Sequence, residues 1–156
     1  MKWKPASGSA RSADDLCWEL QGPRQQGQVL RALALMLPPH CHLMIEGGRV
    51  APDVAGRYRR RRSAVNERIE RDYLSEDVPV YHIHATPAIL TELAELFETR
   101  PAEEVADHLK LYDGRGILFA WHDICAAGWP VLISDRLGAE AIAYLRDECD
   151  LDFQRT

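Results

Sequence analysis

No apolar run in the sequence is long enough to cross a bilayer: the longest nearly uncharged stretches are residues 32–37 and 124–133, against the roughly 20 residues that a membrane helix needs. A helical membrane span is therefore excluded. Met1-Lys2-Trp3-Lys4-Pro5 is followed by Ala, Ser, Gly, Arg and Asp rather than by an apolar segment, so no secretory leader is expected and the cytoplasm is the expected compartment. Cysteine is sparse as well. Cys17, Cys41, Cys125 and Cys149 stand far apart with no C-x-x-C pair, which argues against a zinc ribbon or a dithiol redox motif and for four reduced, partly buried thiols. Phosphate-binding and hydrolase signatures are also missing: there is no G-x-x-x-x-G-K-[ST], G-x-G-x-x-G, H-E-x-x-H or G-x-S-x-G, and the enzyme classes built on them lose their warrant.

What is present fits one ordinary domain. With 156 residues, 46% hydrophobic and 28% charged, the chain can bury a core without staples. Residues 1–15 are small and polar and read as a flexible tail, leaving 16–156 as a single domain. The formal net charge of −5 hides a segregation: residues 49–72 carry 8 basic and 4 acidic side chains, whereas 73–156 carry 6 and 16. The basic segment holds Arg57, Arg59, Arg60, Arg61 and Arg62 with no aromatic platform beyond Tyr58. Four consecutive arginines also fan around a helix instead of forming a stripe. Nucleic acid is thus not the expected partner, and a solvated face paired with acidic groups is.

Periodicity and turn chemistry set the elements. Val29, Leu30, Leu33, Met36 and Leu37 recur at helical spacing until Pro38-Pro39, and 41–46 alternates as a strand before Gly47-Gly48. Pro52 suits the first turn of a helix whose stripe is Val54, Tyr58, Val65, Ile69 and Tyr73, interrupted near Arg61 and Arg62. A strand over 80–85 leads into a helix with Thr86 as cap and Pro87 in its first turn. Residues 107–113 and 117–123 flank Gly114-Arg115-Gly116, and the apolar pattern favours a three-residue loop pairing 113 with 117, Leu111 with Phe119, Leu109 with Trp121 and His108 with His122. A strand at 129–134 and a closing helix with Ala141, Ile142, Leu145 and Cys149 inside complete the chain. The expected fold is α+β: a mixed, mainly antiparallel sheet of about five strands with helices packed on one face.

That fold would collect histidines. Turning Leu43, Ile45, Tyr81, Ile83, Leu109, Leu111, Phe119 and Trp121 toward the helices sends His42, Glu46, His82, His84, His108 and His122 to the opposite face. His82, His84, His108 and His122, with Glu46, are candidate metal ligands, because zinc needs three or four N, O or S donors about 2 Å away; Asp107, Asp123 and Glu46 could hold ring tautomers. His82-Ile83-His84 resembles the H-x-H of metal hydrolases and of histidine-triad nucleotide hydrolases, although Thr86 stands where a further histidine belongs. His84-Ala85-Thr86 resembles one half of a two-histidine phosphoesterase whose second half is absent. No family follows from so few residues. Against the metal reading, the solvated face of an antiparallel sheet carries polar side chains anyway.

Two functions result. The first is a small binding or regulatory protein, for instance toxin-neutralising, that needs no cofactor. It would dock a basic protein partner, or a second copy of itself, through the sheet face (Lys110, Tyr112) or charged surface groups (Glu103, Glu104, Asp107, Arg59, Arg62). The second is a metal-dependent hydrolase or metal-binding domain, with a divalent ion such as zinc on the strand-borne histidines. Pairing Cys41 or Cys125 with a histidine gains little, since sequence neighbours on a strand point to opposite faces.

Overall fold

The protein was analysed as a computed structural model, which describes residues 16–22, 25–63, 69, 71–72, 77–126 and 128–156. Seven strands form one sheet: β1 (Leu16–Leu20), β2 (His42–Glu46), β3 (Val80–His84), β4 (His108–Asp113), β5 (Gly116–Trp121), β6 (Val131–Ser134) and β7 (Phe153–Arg155). Their order is β3-β2-β4-β5-β6-β1-β7, and every neighbouring pair is antiparallel. Four helices accompany them: α1 (Gln26–Met36), α2 (Pro52–Arg60), α3 (Pro87–Thr99) and α4 (Ala139–Asp147). None among the described residues is long and apolar enough to cross a membrane.

The α+β class is as expected, with seven strands where five were expected. The two additional strands are β1, on the border of the polar tail, and β7, only three residues long. β1 pairs with β6 and β7, more than 100 residues away in sequence. No local turn signal marks such a pairing.

All four helices lay their buried residues on one face of the sheet. Leu30, Leu33, Val54, Tyr58, Leu90, Leu93, Ile142 and Leu145 join Leu43, Ile45, Ile83, Leu109, Leu111, Phe119, Trp121 and Ile133 in one apolar cluster. Each fully buried Leu, Ile or Phe there contributes about 1.5–3 kcal/mol by leaving water. A smaller cluster of Leu16, Met44, Ile69, Tyr112, Ile117 and Ala120 occupies the opposite face.

Three local outcomes bear on the site. Thr86 caps α3 as expected, its Oγ1 accepting from the Ile89 N–H at 3.2 Å; Thr86→Ala should lower stability by about 1 kcal/mol in urea unfolding. The hairpin keeps the expected core pairs Leu109–Trp121 and Leu111–Phe119, but its turn is tighter, pairing Asp113 with Gly116. A register shift between Leu111 and Tyr112 absorbs the difference, so a two-residue turn and the apolar register coexist through a bulge. Finally, α2 stops at Arg60 instead of running to Tyr73. Its backbone leaves the helix to bridge the sheet edge, Arg62 pairing with Ile83 and the Ser63 N–H donating to the His82 carbonyl at 2.8 Å. Val54 and Tyr58 therefore serve the main core while Ile69 is buried on the other face. Val65 and Tyr73 lie outside the described residues.

Candidate metal centre

Register places the histidines. Across the face away from the helices, one row reads His84, His42, Tyr112; the next His82, Met44, Lys110, Ala120; the third Val80, Glu46, His108. His122 follows directly after β5, its ring centroid 6.4 Å from that of His108. The expected grouping of histidines on one face is present, but the face is not open. Lys110 and Tyr112, expected to meet a partner, are only 3% and 2% exposed. Ile69 packs in the same cluster as Tyr112, and Asp72 reaches Lys110, so these two residues cover this part of the sheet.

Asp72 is the centre of the third row. Its Oδ1 accepts from Lys110 Nζ at 2.7 Å, and its own N–H donates to Glu46 Oε1 at 2.8 Å. Burial alone would raise the Asp72 carboxyl, but the hydrogen bonds from His122 and Lys110 bring it down to about 2. The carboxylate is therefore acceptor-only, and His122 carries its proton on Nδ1 to donate to Oδ2. His108 is different. Its Nδ1 accepts the Asp123 N–H at 2.8 Å and also stands 3.0 Å from Asp72 Oδ2. One donor atom from each of Asp72, His108 and His122 falls within 4.8 Å of the others, the spacing of a group able to hold a metal ion.

His82 and His84 belong elsewhere. His82 is separated from His108 by all of β2 and by one side-chain row, about 10 Å or more from strand spacing. Its Nδ1 is 2.8 Å from the Tyr112 hydroxyl, and the Tyr112 ring stacks on His42 with centroids 5.6 Å apart. Burial lowers His82 to about 4, with smaller contributions from His42, Arg62 and Arg71. His42 is also lowered, by burial and then by His84. The five histidines of this face thus divide into His108–His122 and His42–His82–His84.

The other candidate residues are scattered. Glu46 is fully buried and touches the cluster through the Asp72 N–H. Asp107 is buried too, Oδ2 accepting from the Gly48 N–H at 3.0 Å. Glu103 and Glu104 sit half-buried in a short turn, and Glu104 lies 3.9 Å from Arg100. Arg57 and Arg61 both bind Glu92, Arg62 donates to the Val80 carbonyl at 3.2 Å, and Arg59 is exposed. Two of the five arginines, Arg57 and Arg61, are thus paired with an acidic group. All four cysteines are free, and the Cys125 thiol is pushed up to about 11 by burial and by Asp107, far from the thiolate a nucleophile needs. Asp72 escaped sequence reasoning because it sat inside a stripe read as helix. Comparison with models of known families, with curated proteins and with solved structures finds no match.

Proposed function

We propose that this protein binds one divalent first-row metal ion through Asp72, His108 and His122. The observation that carries the reading is the convergence of one donor atom each from Asp72, His108 and His122 within 4.8 Å of one another. The 3.0 Å between Asp72 and His108 is the separation of two ligands at right angles about 2.1 Å from one ion, whereas Asp72 and His122 are in direct hydrogen-bond contact and would move apart to admit it. The ion replaces the proton shared by His122 and Asp72 and takes the His108 lone pair from Asp123. Asp72 and Glu46 bring two acidic groups to the site, Asp72 through its carboxylate and Glu46 through the Asp72 N–H. The remaining positions are open to water, and a metal-bound water is acidic enough to support hydrolysis near neutral pH.

Elemental analysis of untagged protein purified without chelator should find about one manganese, iron, nickel or zinc per chain. The content should fall by about one ion per chain in His122→Ala and in Asp72→Asn, to background where the ion is manganese or iron, and persist in His40→Ala. A metal-free protein that takes up none of these ions at micromolar concentration would overturn the reading.

A further inference from the structure

We infer that His42 and His84 form a second site for a divalent transition-metal ion, distinct from the Asp72 cluster and independent of whether that cluster holds metal. The two residues are directly opposed on β2 and β3. The Ala85 N–H donates to the Cys41 carbonyl at 2.9 Å, and Gly47 and Pro79 are bonded in the same register. His42 and His84 therefore occupy a pair without backbone hydrogen bonds, where side chains of adjacent antiparallel strands approach most closely.

Ring spacing allows chelation once the two edge-on rings turn one nitrogen each toward a common point. The centroids are 5.3 Å apart with planes at 75°. An ion about 2.1 Å from one nitrogen of each ring lies about 3.2 Å from each centroid, so this separation corresponds to a nitrogen–metal–nitrogen angle of roughly 110°, the tetrahedral value. The wider His108–His122 pair cannot reach that angle without moving, so the two pairs favour different coordination.

The pair is also preorganised and accessible. His42 is half-buried and stacked on Tyr112, whose hydroxyl is fixed by its 2.8 Å contact with His82 Nδ1. Its ring loses little freedom when a ligand binds. His84 is exposed, leaving solvent to complete the coordination. Imidazole donors without a carboxylate suit copper, nickel and zinc, with copper bound tightest.

The test is a titration of chelator-stripped protein with Cu²⁺, read by calorimetry and by electron paramagnetic resonance, whose nitrogen superhyperfine pattern reports the number of imidazole donors. His122→Ala, which disables the first cluster, should retain one Cu²⁺ bound by two nitrogens. In that background His84→Asn and His42→Asn should each weaken binding at least about tenfold and remove one nitrogen from the pattern, while His40→Asn changes neither. Because His84 is exposed, its substitution leaves the core intact, and circular dichroism checks this. Unaltered Cu²⁺ affinity in His84→Asn would overturn the second site. So would loss of all copper binding in His122→Ala alone, since only one shared site would then exist.

Discussion

Asp72→Asn is expected to destabilise the metal-free protein by about 2–4 kcal/mol, measured by urea unfolding with a chelator present. The substitution keeps the size of the side chain and removes its charge. Lys110 is 3% exposed and its ammonium rests on Asp72 Oδ1 at 2.7 Å. Deleting one member of a buried ion pair leaves the other in low dielectric, at a typical cost of about 3–5 kcal/mol. The partial exposure of Asp72, 14% of its side chain, lets water recover some of that. Linkage gives a similar size. A carboxyl held at about 2 in the folded chain, against about 3.9 unfolded, contributes about 2–3 kcal/mol, present above pH 4 and lost as pH falls toward 2. The diagnostic variant is the double replacement Asp72→Asn with Lys110→Met, which removes the stranded charge and should recover most of the loss. If Asp72→Asn costs less than about 0.5 kcal/mol, the buried Lys110 ammonium does not depend on the Asp72 carboxylate.

The sequence disclosed the face of this site before it disclosed the site. Alternation along 41–46, 80–85 and 107–113 depends on nothing beyond the strands themselves, so Leu43, Ile83 and Leu109 could be turned inward and His42, His82 and His108 outward from period alone. Pairing Leu109 with Trp121 and Leu111 with Phe119 followed from the same pattern, and the bulge below Leu111 shows that core packing outweighs turn preference. What pattern could not supply was strand order and the path of the connection. β2 pairs with both β3 and β4, and only that order separates His82 from His108. Asp72 was read as part of a helix because Ile69 and Tyr73 continue the spacing of Val54 and Tyr58. The helix ends where Arg62 can pair with Ile83, a tertiary hydrogen bond that outweighs local propensity. Ile69 and Asp72 cover a face that alternation alone would leave to solvent.

His82 should make the fold acid-labile over a window that identifies it. The ring is 5% exposed and bonded to Tyr112, and burial holds its pKa at about 4, against about 6.5 unfolded. Between those values the unfolded chain binds the proton that the folded chain refuses, so stability rises with pH across the window. The contribution is complete above pH 6.5 and is lost as pH falls to about 4, amounting to about 3 kcal/mol. His82→Gln, which retains a polar partner for the Tyr112 hydroxyl but does not titrate, should lose that much less stability than the parent chain between pH 7 and pH 4 in chelator-containing buffer. Asp72 releases its contribution only below pH 4 and appears equally in parent and variant, whereas His42, its pKa lowered by burial and by His84, is coupled to His82 and titrates in the same sense. The difference between the two curves therefore belongs to His82, its bond to Tyr112 and its coupling to His42. Parallel curves would mean that the His82 ring accepts its proton in place, which requires water or an anion to reach a position enclosed by Met44 on β2 and by Tyr112.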